Sequence, residues 1–337
     1  MLATLTNHFS LTKNPCCLSS IPFMAIVAQL VRAPACGAGG RRFESGLSPH
    51  FFLLIFLHLF TCKASGVEPK VFEKLNLSYG EHPRQVLDIV TSDACRSGPV
   101  VLFFHGGSWR WGQKDYHREI GKQFAKKGIL FTTANYRLYP EVRFPAFPQD
   151  VAQAVAWVRK NAVTYGGDGK NLFLMGHSAG AHSASLVALD PSYLAVWKGN
   201  PNWIRGVIAM SVPYKFDPQK EFLYRDLFPS QVDRNSTMPA YLANQKGAPP
   251  FFLMHGRFDP LIRYELSEEF SKAMNDSGGF AESKVYASHG HFSLIRRTTS
   301  WHVWPKPLLA DVLGFVDKFS SSKDTSGSGD ESPANPK

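Results

Sequence analysis

Four runs of five to eight largely apolar residues, 99–104 (PVVLFF), 171–175 (NLFLM), 204–211 and 250–254, recur through the middle of the chain without alternating apolar and polar. A strand with one wet face alternates, whereas a near-continuous apolar run is what a strand covered on both faces requires. Between these runs lie segments with helical spacing. Residues 114–127 end at Gly128, residues 150–163 place Val151, Ala154, Val155 and Val158 on one face, and residues 181–189 are rich in small side chains. Residues 71–78 and 84–90 read as two strands joined by a turn containing Gly80; 129–136 is a further strand and 283–287 a weaker last one. Covered strands alternating with helices predict an α/β fold: a mostly parallel central sheet with helices on both faces.

The two ends do not share this pattern. Residues 51–60 (FFLLIFLHLF) form an apolar run half as long as a bilayer span, with Arg41 and Arg42 upstream and Ala64, Ser65 and Gly66 downstream. This is the layout of a signal peptide and not of a stable membrane span, so a secreted or periplasmic location is expected if the run is used, and a cytoplasmic one otherwise. Cys62 offers a lipidation site in the alternative. Residues 27–51 have neither period, and they resemble the peptide made when a bacterial transfer-RNA gene is translated ahead of an open reading frame. The expectation is therefore a non-domain segment over 1–66, with the functional start near Leu47. Residues 320–337 lack any large apolar side chain and are expected to form a disordered tail. The folded domain is expected over 67–319.

The net charge of +10 invites a polyanion reading, but +4 of it belongs to residues 1–66 and no Lys/Arg run exceeds two residues. A mildly basic solvated surface is expected, with no nucleic-acid partner. Four of the five cysteines, Cys16, Cys17, Cys36 and Cys62, precede the domain, which leaves Cys95 without a disulfide partner. No CxxC pair or His/Cys cluster suggests a metal, and nothing implies a cofactor.

Chemistry concentrates where the run at 171–175 meets Gly176-His177-Ser178-Ala179-Gly180 and the helical stretch after it. A G-x-S-x-G pentapeptide alone is weak; between a buried strand and a helix it marks a sharp turn that presents a nucleophilic serine at the carboxyl edge of the sheet. His105-Gly106-Gly107-Ser108-Trp109 ends another covered strand. Acyl transfer builds negative charge on the carbonyl oxygen, and a Gly-rich loop can bring bare N–H groups to it. The donors are assigned to Gly107, Ser108 and Ala179.

A serine nucleophile needs a base, and the base needs an orienting acid. The loop His255-Gly256-Arg257-Phe258-Asp259-Pro260 places Asp259 beyond a strand end, and Ser288-His289-Gly290-His291-Phe292 follows the last strand, so either His289 or His291 could be the base. His177 is expected to point away from Ser178, with a pocket-wall role as its functional option. His182 is expected to pack, Trp109 and Trp111 to line a pocket or the core, and Arg137 and Asp150 to form a structural ion pair. The mixed segment 213–249, with Phe216, Phe222, Leu223, Tyr224 and Phe228, is expected to be either a small cap over Ser178 or an ordinary connection.

Over residues 99–319 these motifs, with Asn135-Tyr136-Arg137-Leu138, residues 144–157 and Tyr165-Gly166-Gly167-Asp168, resemble the α/β-hydrolase superfamily. The resemblance is to its carboxylesterase/lipase branch with an HGG motif, which includes feruloyl-esterase-like enzymes and kynurenine formamidases. It implies a serine esterase acting on a small-molecule ester, with Ser178, Asp259 and His291 as triad, because in that branch the base directly precedes an aromatic residue. Ser108 departs from the third glycine of many relatives, which narrows the neighbouring pocket and makes it more polar. The same triad would serve an arylformamidase, and the same fold serves non-catalytic ligand receptors.

Overall fold

A computed structural model of the protein describes residues 68–295 and 306–320. The leader expected over residues 1–66, with its apolar run and four cysteines, and the tail from residue 321 onward lie outside the described residues. In chain order the main elements are β1 (Val71–Ser78), β2 (Val86–Ser92), β3 (Gly98–Phe104), α1 (Arg118–Ala125), β4 (Leu130–Ala134), α2 (Ala146–Asn161), β5 (Gly167–His177) and α3 (Ala179–Leu189). They continue with α4 (Pro191–Ala195), β6 (Ile204–Met210), α5 (Arg234–Thr237), β7 (Phe251–Gly256), α6 (Glu265–Asp276), β8 (Ala281–Tyr286) and α7 (Lys306–Ser320). The last helix therefore takes Ser320 out of the stretch assigned to the tail.

The strands form one sheet in the order β1-β2-β4-β3-β5-β6-β7-β8. β1 and β2 pair antiparallel, as do β2 and β4; every later pairing is parallel. The continuous apolar runs are explained by what covers them. In β3, Val100, Leu102 and Phe104 join one buried cluster, with Val151, Val155 and Val158 of α2, Leu186 of α3 and Phe270 of α6. Val101 and Phe103 join the other, with Ile120 and Phe124 of α1, and the β6 residues Ile208 and Met210 meet Val312, Phe315 and Val316 of α7 there. Alternate side chains thus enter two dry layers, and neither face can be polar.

Several boundaries differ from those the residue pattern predicts. The helix expected over 114–127 is a short 3-10 turn, Lys114–His117, followed by α1. The break follows from Lys114, whose ammonium is 2% exposed and lies 2.8 Å from Asp88 Oδ1 in β2, a carboxylate with no exposure. Its backbone N–H donates to Asn135 Oδ1 at 2.7 Å. Burying this pair ties the loop after β3 to the antiparallel edge of the sheet. Each partner keeps a second ionic contact, Asp88 with Arg118 at 3.3 Å and Lys114 with Asp115 at 3.6 Å, so removing one should cost less than the about 3–5 kcal/mol of an isolated buried pair. The helix expected from Asp150 begins earlier, at Ala146, because Pro148 falls in its first turn, where its missing N–H has no partner to lose. Asp150 is nonetheless pinned: Arg137 Nη2 and Gln85 Nε2 donate to its Oδ1 at 2.6 and 2.8 Å. This is the ion pair expected between Arg137 and Asp150.

The parallel register sets the height of each loop. Phe104 pairs with Gly176, His177 with Met210, Met210 with Met254, and Gly256 with Tyr286. The segments after β3, β5, β7 and β8 therefore leave the sheet along one carboxyl edge, although they are far apart in sequence. Among the described residues, no helix is long and apolar enough to cross a membrane.

Candidate active site

Ser178 stands between β5 and α3 with φ 51° and ψ −121°, a conformation that costs an L-residue on the order of 1–3 kcal/mol. Two backbone bonds hold it there: Ser178 N–H donates to Met210 O at 2.8 Å, and His182 N–H donates to Ser178 O at 2.9 Å. The turn is tight enough to leave no room for side chains around it. A Cβ on Gly180 would lie 2.4 Å from Phe104 O, and one on Gly106 would lie 3.2 Å from Ser178 Cβ. Only glycine lets the loop after β3 and the serine turn touch. Ser178 also caps the N-terminus of an eleven-residue helix, whose dipole favours negative charge at that end.

Gly107, Ser108 and Trp109 follow one another with φ of 120°, 52° and 56°, so two of the three candidate oxyanion positions, Gly107 and Ser108, lie on left-handed backbone, and the third, Ala179, directly follows Ser178. The positive φ at Ser108 gives a physical reason why glycine suits that position. The loop is braced from outside. Arg84 donates through Nε to Tyr136 O at 2.9 Å and through Nη2 to Gly112 O at 3.0 Å, and Trp111 N–H closes back on Gly107 O at 2.9 Å.

Across the edge, His291 Nδ1 donates to Asp259 Oδ2 at 2.7 Å, with side-chain exposures of 3% and 1%. The other oxygen of Asp259 accepts Leu261 N–H and Ile262 N–H, both at 2.9 Å. Burial pushes this carboxyl upward, but the bonds from His255, His291 and Ile262 N–H outweigh it and hold the group well below the usual carboxylate range. His289 does not share this position: its Nδ1 lies 3.3 Å from Ser288 Oγ, and its backbone carbonyl accepts Phe258 N–H at 2.9 Å. The pairing with Asp259 that the residues left open thus belongs to His291.

A family model described as BD-FAE matches residues 87–195. A probable isoprenylcysteine alpha-carbonyl methylesterase of Oryza sativa subsp. japonica is 28% identical over 270 residues, covering 74% of this chain and 61% of that relative. Esterase LipQ of Mycobacterium tuberculosis is 29% identical over 238 residues, covering 66% of this chain and 56% of its own length. Among solved structures, esterase B from Lactobacillus rhamnosis, inhibited by a tributyrin phosphonate, superposes with a TM-score of 0.63 at 21% identity, covering 81% of this chain and 94% of that one. The chain has the α/β-hydrolase fold and is similar to carboxylic ester hydrolases. It spans less than two thirds of the length of the two named relatives.

Within this fold the residues offered as pocket walls take different places. Trp109 is 1% exposed, so it belongs to the core and not to a pocket wall. Its ring meets His182 edge-on at 5.0 Å and Phe228 at 5.1 Å, and Nε1 donates to Ser183 Oγ at 3.2 Å. Edge-to-face pairs of this kind add about 0.5–1.5 kcal/mol each beyond burial. Trp111 is 60% exposed on the loop after β3. His177 is buried and lines no open wall: its Nε2 donates to the backbone carbonyl of His291 at 2.8 Å, tying the serine turn to the histidine loop. The segment 213–249 contains only short helical turns besides α5, and Phe216, Tyr224 and Phe228 pack around Trp109. Arg110 donates twice to Leu223 O, at 3.2 and 2.7 Å, which latches this segment to the loop after β3.

The residue pattern did not single out His255 in this site. It is wholly buried, with Nε2 3.2 Å from Asp259 Oδ2 and Nδ1 2.8 Å from Ser267 Oγ. A histidine four residues before the candidate acid was the available signal.

Burial also pushes His105 down to about 4, and His177 and His182 to about 3. Below a pH of about 6.5 these rings are charged in the unfolded chain and uncharged in the folded one. The unfolded state then binds more protons, so their stabilisation is complete above that pH and is lost as pH falls toward the folded values. The slope is about 1.4 kcal/mol per pH unit for each ring. Thermal unfolding followed between pH of about 7 and about 5 should show a steadily falling Tm, and a flat profile would contradict the burial of uncharged histidines.

Proposed function

We propose that the chain is a serine hydrolase that cleaves carboxylic esters through an acyl-enzyme. Three features support the reading: the 2.7 Å bond from His291 Nδ1 to Asp259 Oδ2, its position at the sheet edge that carries Ser178, and the HGG loop in contact with the serine turn. With Nδ1 protonated toward Asp259, His291 Nε2 is the basic nitrogen. It takes the Ser178 hydroxyl proton as Oγ attacks the ester carbonyl carbon, and the oxyanion meets the N–H groups of Ala179 and of Gly107 and Ser108. The proton on Nε2 then passes to the departing alkoxide, the C–O bond breaks, and an acyl-Ser178 ester remains. Water, deprotonated by the same nitrogen, releases the carboxylic acid and restores the serine. Asp259 stays ionised throughout and keeps the imidazole in the Nδ1–H tautomer.

Exposed rings stand on the loops that carry these groups: Trp111 beside the oxyanion positions, Phe258 next to Asp259 and Phe292 next to His291, with exposures of 60%, 72% and 59%. They favour an uncharged ester with an apolar acyl or alcohol part. A methyl ester of an isoprenylated cysteine, the compound class in the name of the rice relative, therefore belongs in the substrate panel. The named relatives are esterases, which favours ester over formamide cleavage. The test compares p-nitrophenyl butyrate with N-formylkynurenine: kcat/KM is expected to favour the ester by a factor on the order of 100. A reversed ratio would make the chain an arylformamidase. Failure of Ser178 to react with a fluorophosphonate probe would make it a non-catalytic binder.

A further inference from the structure

The reading of Asp259 as the orienting acid leaves one question of geometry: what keeps its carboxylate facing His291. Leu261 N–H and Ile262 N–H hold Oδ1, but two donors on one oxygen leave the carboxylate free to swing about that anchor. Oδ2 is met from two sides, by His291 Nδ1 at 2.7 Å and by His255 Nε2 at 3.2 Å. His255 has no exposed surface, so its ring finds its partners within the protein.

The protonation of the His255 ring follows from its partners. Nε2 faces two groups, Asp259 Oδ2 and, at 3.0 Å, Ile262 O. Both are acceptors, so Nε2 carries the proton and shares it between them. Nδ1 is then the acceptor and takes the hydroxyl proton of Ser267, 2.8 Å away on α6 and itself 1% exposed. A core helix thus sets the angle of the ring, and the ring grips both ends of the 259–262 turn.

We propose that His255 is a positioning residue for the triad, whose Nε2–H holds Oδ2 of Asp259 in line with His291 Nδ1. The inference rests on the serine-hydrolase reading. Without this donor the carboxylate loses one of the two fixed contacts on Oδ2, and the base is held less accurately. A misplacement of about 1 Å in a catalytic group costs on the order of 10²-fold in rate.

The test uses the full chain and p-nitrophenyl butyrate, with His255→Leu, His255→Gln and His255→Asn. Glutamine returns an N–H near the place of Nε2, whereas the shorter asparagine returns one near Nδ1, facing Ser267. His255→Leu and His255→Asn should lower kcat about 10- to 100-fold with KM little changed, and His255→Gln should recover to within about 3-fold of the parent. The acid limb of kcat/KM provides a second readout. His255 N–H draws charge from Oδ2, so its removal leaves more negative charge facing His291 and should move that limb to higher pH. The other titratable ring against His291 is His177, 4.8 Å away between centroids, and its burial keeps it uncharged across the assay range.

Equal activity of the glutamine and asparagine variants, with an unmoved acid limb, would overturn the proposal and leave His255 a packing residue. The comparison holds even if the leucine variant does not fold. Ser178→Ala in the same assay separates the two failures. If it retains parental turnover, the serine-hydrolase reading falls; if it is inactive while all His255 variants match the parent, only this inference falls.

Discussion

Ser178→Ala is expected to lower kcat by about 10⁴- to 10⁶-fold while the protein stays folded. Without Oγ there is no atom to form the acyl-enzyme, and what remains is whatever rate the oxyanion donors and substrate positioning give a direct attack by water. The loss should fall on kcat and leave substrate binding nearly intact, because the hydroxyl contributes mainly to the transition state. The burst of p-nitrophenol that marks acyl-enzyme formation should disappear with it. Folding should survive, since the bonds that hold residue 178 in its turn, to Met210 O and from His182 N–H, are made by the backbone. Near-parental turnover in a folded variant would remove Ser178 from the mechanism.

His291→Ala is expected to cost about 10⁴-fold or more, and His289→Ala to remain within a few-fold of the parent. The two histidines stand two residues apart on one loop and are equally good bases in isolation, so position alone separates them. His291 is 4% exposed and donates to the Asp259 carboxylate, whereas the contribution of His289 to the loop is its carbonyl, which Phe258 N–H reaches at 2.9 Å. Alanine at residue 289 keeps that carbonyl; alanine at residue 291 removes the only imidazole on the loop that Asp259 orients. The pH–rate profile provides the check: the acid limb should vanish in the first variant and persist in the second. The opposite pattern would exchange the roles of the two.

The strands of the covered sheet were legible because burial on both faces leaves a run of apolar residues with few alternatives. The helices of the C-terminal half were less so. Glu265–Asp276 carries its apolar face on Phe270 and Met274 amid acidic and small polar residues, and Lys306–Ser320 carries Leu308, Val312, Phe315 and Val316 at helical spacing. Both patterns are present in the residues, but neither lies in the elements that the residue pattern predicts. The mixed aromatic stretch after β6 gave no period because its rings serve a cluster and not a helix face. Phe216, Tyr224 and Phe228 surround Trp109, a partner more than 100 residues earlier.

Local chemistry in the sequence determined the strand–turn–helix around Ser178, the glycine loop after β3 and the chain order of serine, acid and histidine. Each depends on a few neighbouring residues: glycines where a Cβ would collide, apolar runs where both faces are dry. Tertiary structure supplied the bond to Asp259 for His291, which the residues alone left open and the family resemblance implied; it alone decided that Trp109 belongs to the core, that His177 braces the histidine loop and that His255 stands behind the acid. Those outcomes depend on distances between segments that the parallel register brings to one edge of the sheet. A hydrogen bond 2.7 Å long across 32 residues of chain leaves no trace in the spacing of either partner.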